Sequence, residues 1–245
     1  MRAVRRRDSG TTLTEMLVVM LIFGIVVAAT ASVTISMTRT NGQNIARQDL
    51  VDQARTAVER MSKTARTAIK PSQLFTQGCN TACADADAFL QGTATSMQFY
   101  ANLDNAGNVV GPSRITYTIE ASGAGAGVLV EKVQRPDPGG TNGYTYCNPD
   151  AAGATALCKS RQTVRRLVAG VDTSGPAVFQ YFKGDGAKLT PSASGLSPTD
   201  LEKVLGIEIT LTVRSASTTA PQPVTYIQHV TLPNAQAVMQ TGKDT

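Results

Sequence analysis

Hydropathy divides this chain at Arg39. From Thr12 to Thr38 the residues are apolar or small, and Glu15 is the one ionisable side chain among them. At about 1.5 Å per residue, a helix of that length crosses a hydrocarbon core of about 30 Å. Beyond Arg39 the pattern turns amphipathic with a period near 3.6. Val51, Ala54, Val58, Met61, Ala65 and Ala68 step by three and four onto one stripe, while Arg47, Arg55, Arg60, Lys63 and Arg66 occupy the other faces. Pro71 ends the pattern. The prediction is one long helix, membrane-compatible in its first half and amphipathic in its second, with the stripe covering a sheet. A coiled coil competes for the second half, but the stripe is Ala-rich and short for one.

After residue 95 the period drops to two. Ser96–Leu103, Arg114–Glu120 and Val128–Val133 alternate as strands do, separated by the turn-rich segments Asp104-Asn-Ala-Gly-Asn and Gly123-Ala-Gly-Ala-Gly. Arg165–Val171, Ala177–Phe182, Leu205–Val213 and Val224–Asn234 are further strand candidates. Residues 136–158, rich in Pro and Gly, are expected to form a long loop. The fold class is therefore α+β: a long N-terminal helix on one extended antiparallel sheet or two small ones. At Asp104 a calcium loop is weighed against a hairpin turn. The turn is favoured, because the full acidic ladder and its terminal Glu are missing.

Charge sharpens the reading of the N-terminus. The first ten residues carry four Arg and one Asp, three of the five net positive charges, so the rest of the chain holds only about +2. A basic leader before an apolar run fits a secretory signal peptide, with Ala28–Ala31 as its cleavage region, or a plain signal anchor. Neither explains Glu15, because a carboxylate at membrane depth costs about 2.5–3.5 kcal/mol and calls for a partner.

Arg5-Arg-Arg-Asp-Ser-Gly-Thr-Thr-Leu-Thr-Glu-Met and the apolar run after it resemble the class III signal of type IV prepilins, shared by pilins and type II secretion pseudopilins. The resemblance implies cutting between Gly10 and Thr11 by a prepilin peptidase, with Thr11 as the position to be N-methylated. It also implies that Glu15 meets the freed α-amine of a neighbouring subunit, which suits the physics of a buried charge pair. Thr11 stands where the family usually has Phe, and Ser32 where major pilins often have a kinking Pro. The implied fold is pilin-like, divided into a cleaved leader (1–10), a transmembrane and assembly helix (11–37), its amphipathic continuation (38–70) and a β-rich extracytoplasmic head (71–245). In the second half, Phe179-Gln-Tyr-Phe, Gly184-Asp-Gly, Ile207-Glu-Ile-Thr-Leu-Thr-Val and Val230-Thr-Leu-Pro-Asn are similar, in order and character, to the large J-type minor pseudopilin and its pilus counterpart.

The arginines of the leader orient the chain with its N-terminus in the cytoplasm and the head outside. Four cysteines in an oxidising compartment suggest disulfides, with Cys79–Cys83 and Cys147–Cys158 preferred over the other pairings. Zinc is the competing use; one distant His229 and unsuited spacings disfavour it. There is no nucleophile elbow or phosphate loop, and the carboxylates are scattered, so neither an enzyme nor a cofactor is expected. His229 is expected to be structural. Three roles stay in view: a minor pilin or pseudopilin priming a filament at its tip, a tip module that binds a surface or nucleic acid, and a signal-anchored protein unrelated to filaments. The expected partners are the peptidase, other pilins and the cytoplasmic membrane. A nucleic-acid partner would rest on Arg161, Arg165 and Arg166, three arginines that suit a solvated face at least as well.

Overall fold

The structure is a computed structural model and describes residues 12–74, 86–121, 126–138, 143–215 and 222–235. The chain separates into two compact units, one ending at Ala46 and one beginning at Arg47.

Helix α1 runs Leu13–Ala65, 53 residues, and contains all of the first unit's described residues except Thr12. Its apolar side chains from Leu13 to Met37 are exposed, and it is long and apolar enough to cross a membrane. The threonines within this stretch do not leave hydroxyls unsatisfied. Thr30 Oγ1 donates to the carbonyls of Val26 and Val27 (both 3.0 Å), and Thr34 Oγ1 to Thr30 (2.9 Å), so each polar atom is absorbed by its own helix.

In the second unit, α1 buries Leu50, Ala54, Ala57, Val58, Met61, Ala65 and, just past its end, Ala68 joins them. The stripe differs from expectation at its start: Leu50 is buried and Val51 exposed, so the buried face is rotated by one residue there. The helix also ends before Pro71. Residues 67–69 take partners from the sheet instead, with the Ile69 N–H donating to Tyr100 O and the Asn102 N–H to Thr67 O (both 3.0 Å). A β-bridge joins Ala68 to Ala101. Backbone groups satisfied by a strand have no need of another helical turn.

Nine strands form one curled antiparallel sheet. They are β1 (Phe89–Gly92), β2 (Ser96–Ala101), β3 (Ser113–Ala121), β4 (Ala126–Gln134), β5 (Gln162–Asp172), β6 (Phe179–Phe182), β7 (Lys188–Leu189), β8 (Gly206–Val213) and β9 (Val224–Thr231). The first five form a meander in chain order. β8 then pairs with β9 along one edge, and along its other edge first with β6 and then, at Val213, with Val171 of β5. Alternation places Met97, Phe99, Ile115, Tyr117, Leu129, Tyr181, Ile207 and Ile209 in one core cluster with the α1 stripe.

The Asp104 region is the connection between β2 and β3. Asp104, Gly107 and Asn108 have positive φ, and Asn105 Oδ1 accepts the N–H groups of Val110 (2.9 Å) and Gly111 (3.1 Å). The segment between β4 and β5 ends in a short helix, Ala156–Ser160, capped by the Thr155 hydroxyl. A disulfide joins Cys147 to Cys158 and leaves neither thiol free for a metal. The segment is pinned to the sheet's outer side. Gln134 Nε2 donates to Cys147 O (2.5 Å), Tyr146 packs on Tyr100 with centroids 5.6 Å apart, and the Arg114 guanidinium lies 5.0 Å from the Tyr146 ring centre. Cys79 and Cys83 lie outside the described residues.

Candidate functional site

Of the N-terminal residues that the sequence singles out, the described structure contains Glu15. Gly10 and Thr11 lie outside the described residues. Glu15 sits in the first helical turn and closes a reciprocal cap with Thr12. The Glu15 N–H donates to Thr12 Oγ1 (3.3 Å), while Glu15 Oε2 accepts from the Thr12 N–H (3.1 Å) and hydroxyl (3.2 Å). This capping box satisfies donors that a helix start otherwise leaves open. It also places the carboxylate against the positive end of the helix dipole. Thr12 is thus a site residue that the argument from charge alone overlooks. Its signal is nonetheless in the chain, as Thr-x-x-Glu directly before an apolar run. The other carboxylate oxygen, Oε1, accepts no hydrogen bond among the described residues, so it remains available to an external donor.

The head has its own buried acid. Glu131 of β4 has a side chain 1% exposed, and it is held from two elements. Arg60 of α1 donates Nε to both carboxylate oxygens (3.0 and 2.9 Å) and Nη2 to Oε2 (2.8 Å), and Tyr117 Oη of β3 donates to Oε1 (2.8 Å). The hydrogen bond to Glu131 raises the Arg60 pKa, and burial, with Glu131 beside it, drives that of Tyr117 far above the usual phenol range. A buried carboxylate is tolerable when such donors are supplied. The sequence pattern puts Arg60 off the buried stripe of α1, and its side chain is 40% exposed there; what the pattern does not show is that Arg60 ties the helix to the sheet through Glu131.

Arg161, Arg165 and His229 each have a carboxylate beside them. Arg161 is bound by Asp137 at 2.6 Å, and Arg165 approaches Glu131 at 3.8 Å. His229 lies exposed on β9, 3.0 Å from Glu208. Among the described residues, no group of three or more His, Cys, Asp or Glu is placed to hold a metal.

A long N-terminal helix with a capped acidic first turn, packed by its second half on a curled antiparallel sheet, is a pilin-like α+β architecture. Residues 5–31 match the family model of the prokaryotic N-terminal methylation motif. The motif indicates a type IV pilin-like protein, and it implies processing by a prepilin peptidase and assembly with other pilins. No characterised protein and no solved structure matches the chain.

Proposed function

We propose that this protein is a minor pilin or pseudopilin, cut between Gly10 and Thr11 and assembled through α1 at the tip of a type IV pilus or type II secretion pseudopilus. Glu15 carries this reading. It is the one charge in an apolar stretch of more than twenty residues, and one of its carboxylate oxygens has no partner among the described residues. Cutting at Gly10 creates an α-amine at Thr11. In apolar surroundings such an amine and the carboxylate of an adjacent subunit are stable chiefly as a pair. The helix would then be both membrane anchor and assembly element, with the cytoplasm on the leader's side and the head outside.

The head's role in this reading is structural and non-catalytic. Its sheet, fastened to α1 through Glu131 and Arg60, gives the tip a rigid cap, and the order of its later strands favours the large J-type minor class.

N-terminal sequencing and intact mass of the membrane-extracted protein, with and without the prepilin peptidase, test the proposal. A start at Thr11 that disappears with the peptidase supports it. A start at Met1 in both strains, or one near Ala31, refutes it.

A further inference from the structure

A cleft of about 600 Å³ opens between the second half of α1 and the sheet, where β4 ends and β5 begins. Val133, Thr163 and Leu103 supply its less polar lining, and five cationic side chains surround it against two carboxylates, Glu59 and Asp104. Two of the cations are already hydrogen-bonded to a carboxylate. Arg60 is forked onto Glu131, and Arg161 is bound at 2.6 Å by Asp137.

The other three are not. Lys63, Arg135 and Arg165 donate no side-chain hydrogen bond among the described residues. Arg135 stands 3.9 Å from Asp104 and Arg165 3.8 Å from Glu131, both beyond hydrogen-bond length. Glu131 is the shared counter-ion of Arg60 and Arg165, so one carboxylate serves two guanidiniums. Glu59, the carboxylate near Lys63, is held by Arg55 at 2.8 Å. Lys63 and Arg165 are therefore in excess of the local negative charge, and they present unused donors to the cleft.

We propose that this cleft is a docking site for an acidic, extended peptide segment of a partner protein, with side-chain carboxylates received by Lys63, Arg135 and Arg165. Guanidinium forks with free donors match carboxylate geometry. Glu59 and Asp104 on the rim oppose a continuous phosphodiester backbone, whereas discrete carboxylates can be spaced to avoid them. Val133 and Leu103 in the lining add apolar contacts that a peptide can use. All of these residues lie in the compact unit from Arg47 onward, so the cleft serves a partner whether or not the chain enters a filament.

The test is fluorescence anisotropy on the full chain in non-ionic detergent micelles, using a short dye-labelled peptide that alternates Glu with Ser. Its Gln counterpart and a short DNA duplex serve as separate probes. The Glu peptide should bind, lose affinity as salt rises, and lose roughly fivefold with Lys63→Gln plus Arg165→Gln, in line with the small contribution of each exposed charge pair. Arg135→Gln, which loses one long ion pair to the exposed Asp104, should weaken binding with little effect on the fold, and Arg66→Gln, outside the cleft, should not weaken it. Equal affinity for the Gln peptide, indifference to the cleft variants, or tighter binding of the duplex would each overturn the proposal.

Discussion

Two glutamates stand out, one buried in the core and one opening an apolar helix, and each is partnered differently. Glu131 has a guanidinium fork and a phenol within 3.0 Å, one from α1 and one from β3, so removing either leaves the acid underpaired in the core. Arg60→Met should cost about 2 kcal/mol. That lies below the range for breaking a fully buried pair, because Arg60 is partly exposed and Arg165 stands close enough to compensate in part. Glu131→Gln should cost less than Arg60→Met. Urea unfolding of the two variants checks the order, and a larger loss for Glu131→Gln would mean that Arg60 is not the main anchor. Glu15 is held by one residue of its own chain. Glutamine can close the same cap as glutamate, so Glu15→Gln separates the cap from the charge. Under the proposed function, the Gln variant should be exported and processed normally yet fail to enter filaments, as judged by immunoblotting sheared surface fractions. Normal incorporation would mean that the cap, and not a charge pair, is what assembly requires.

At the level of elements, β5 is where the sheet turns a corner. Two bulges interrupt its pairing with β4, and one of them contains Gly170, whose φ is +77°. The Gly170 carbonyl accepts the Arg214 N–H at 2.9 Å, and a Cβ at Gly170 would lie 2.2 Å from the Arg214 carbonyl oxygen. Backbone is the obstacle here, so no rotamer change relieves it. Gly170→Ala should therefore cost about 1–3 kcal/mol, read as a lower thermal midpoint, and Gly153→Ala, where the space is open, should cost far less. Elements whose one face is buried are legible in the chain for a physical reason. β2, β3 and β8 alternate in sequence because they alternate in burial, and the α1 stripe shows its helical period for the same reason. β1 and β7, with four and two residues, are too short to display a period and exist through their neighbours. Glu131 lies between Leu129 and Val133 on the inward side of β4, so its burial could be inferred. Its partner is 71 residues away, and nothing local marks it. Of the N-terminal site, the acid and its Thr12 cap are readable from residue type and spacing, while the proposed cut position lies outside the described residues. The cleft is not readable, because its cations come from α1, the residue just past β4, the turn before β5 and β5 itself.

Across the whole molecule, the head has an alkaline weakness set by how its tyrosines are packed. Tyr117, Tyr146 and Tyr181 are each driven far above the usual phenol range, with burial as the leading cause in all three. Unfolding returns them to a value near 10.0. The folded state therefore holds protons that the unfolded state has released once the pH passes that value. Since stability changes with pH in proportion to protons bound in the unfolded state minus those bound in the native state, the sign is negative. Below about pH 10 both states are protonated and the contribution is intact; above it, stability falls by about 1.4 kcal/mol per pH unit for each such tyrosine, about 4 kcal/mol for the three together. Tyr181 offers the cleanest separation of this effect from ordinary packing, because its hydroxyl donates to the carbonyls of Thr93 (2.9 Å) and Ser96 (3.1 Å) and replacing it removes both the hydrogen bonds and the titration. Tyr181→Phe should thus be less stable than the parent at pH 7 and lose stability more slowly above pH 10, by about 1.4 kcal/mol less per pH unit. Urea unfolding at pH 7, 9, 10.5 and 11.5, with phenolate absorbance followed in parallel, measures both quantities; parallel curves for the two proteins would show that Tyr181 ionises in the folded state and that its burial does not govern the alkaline limit.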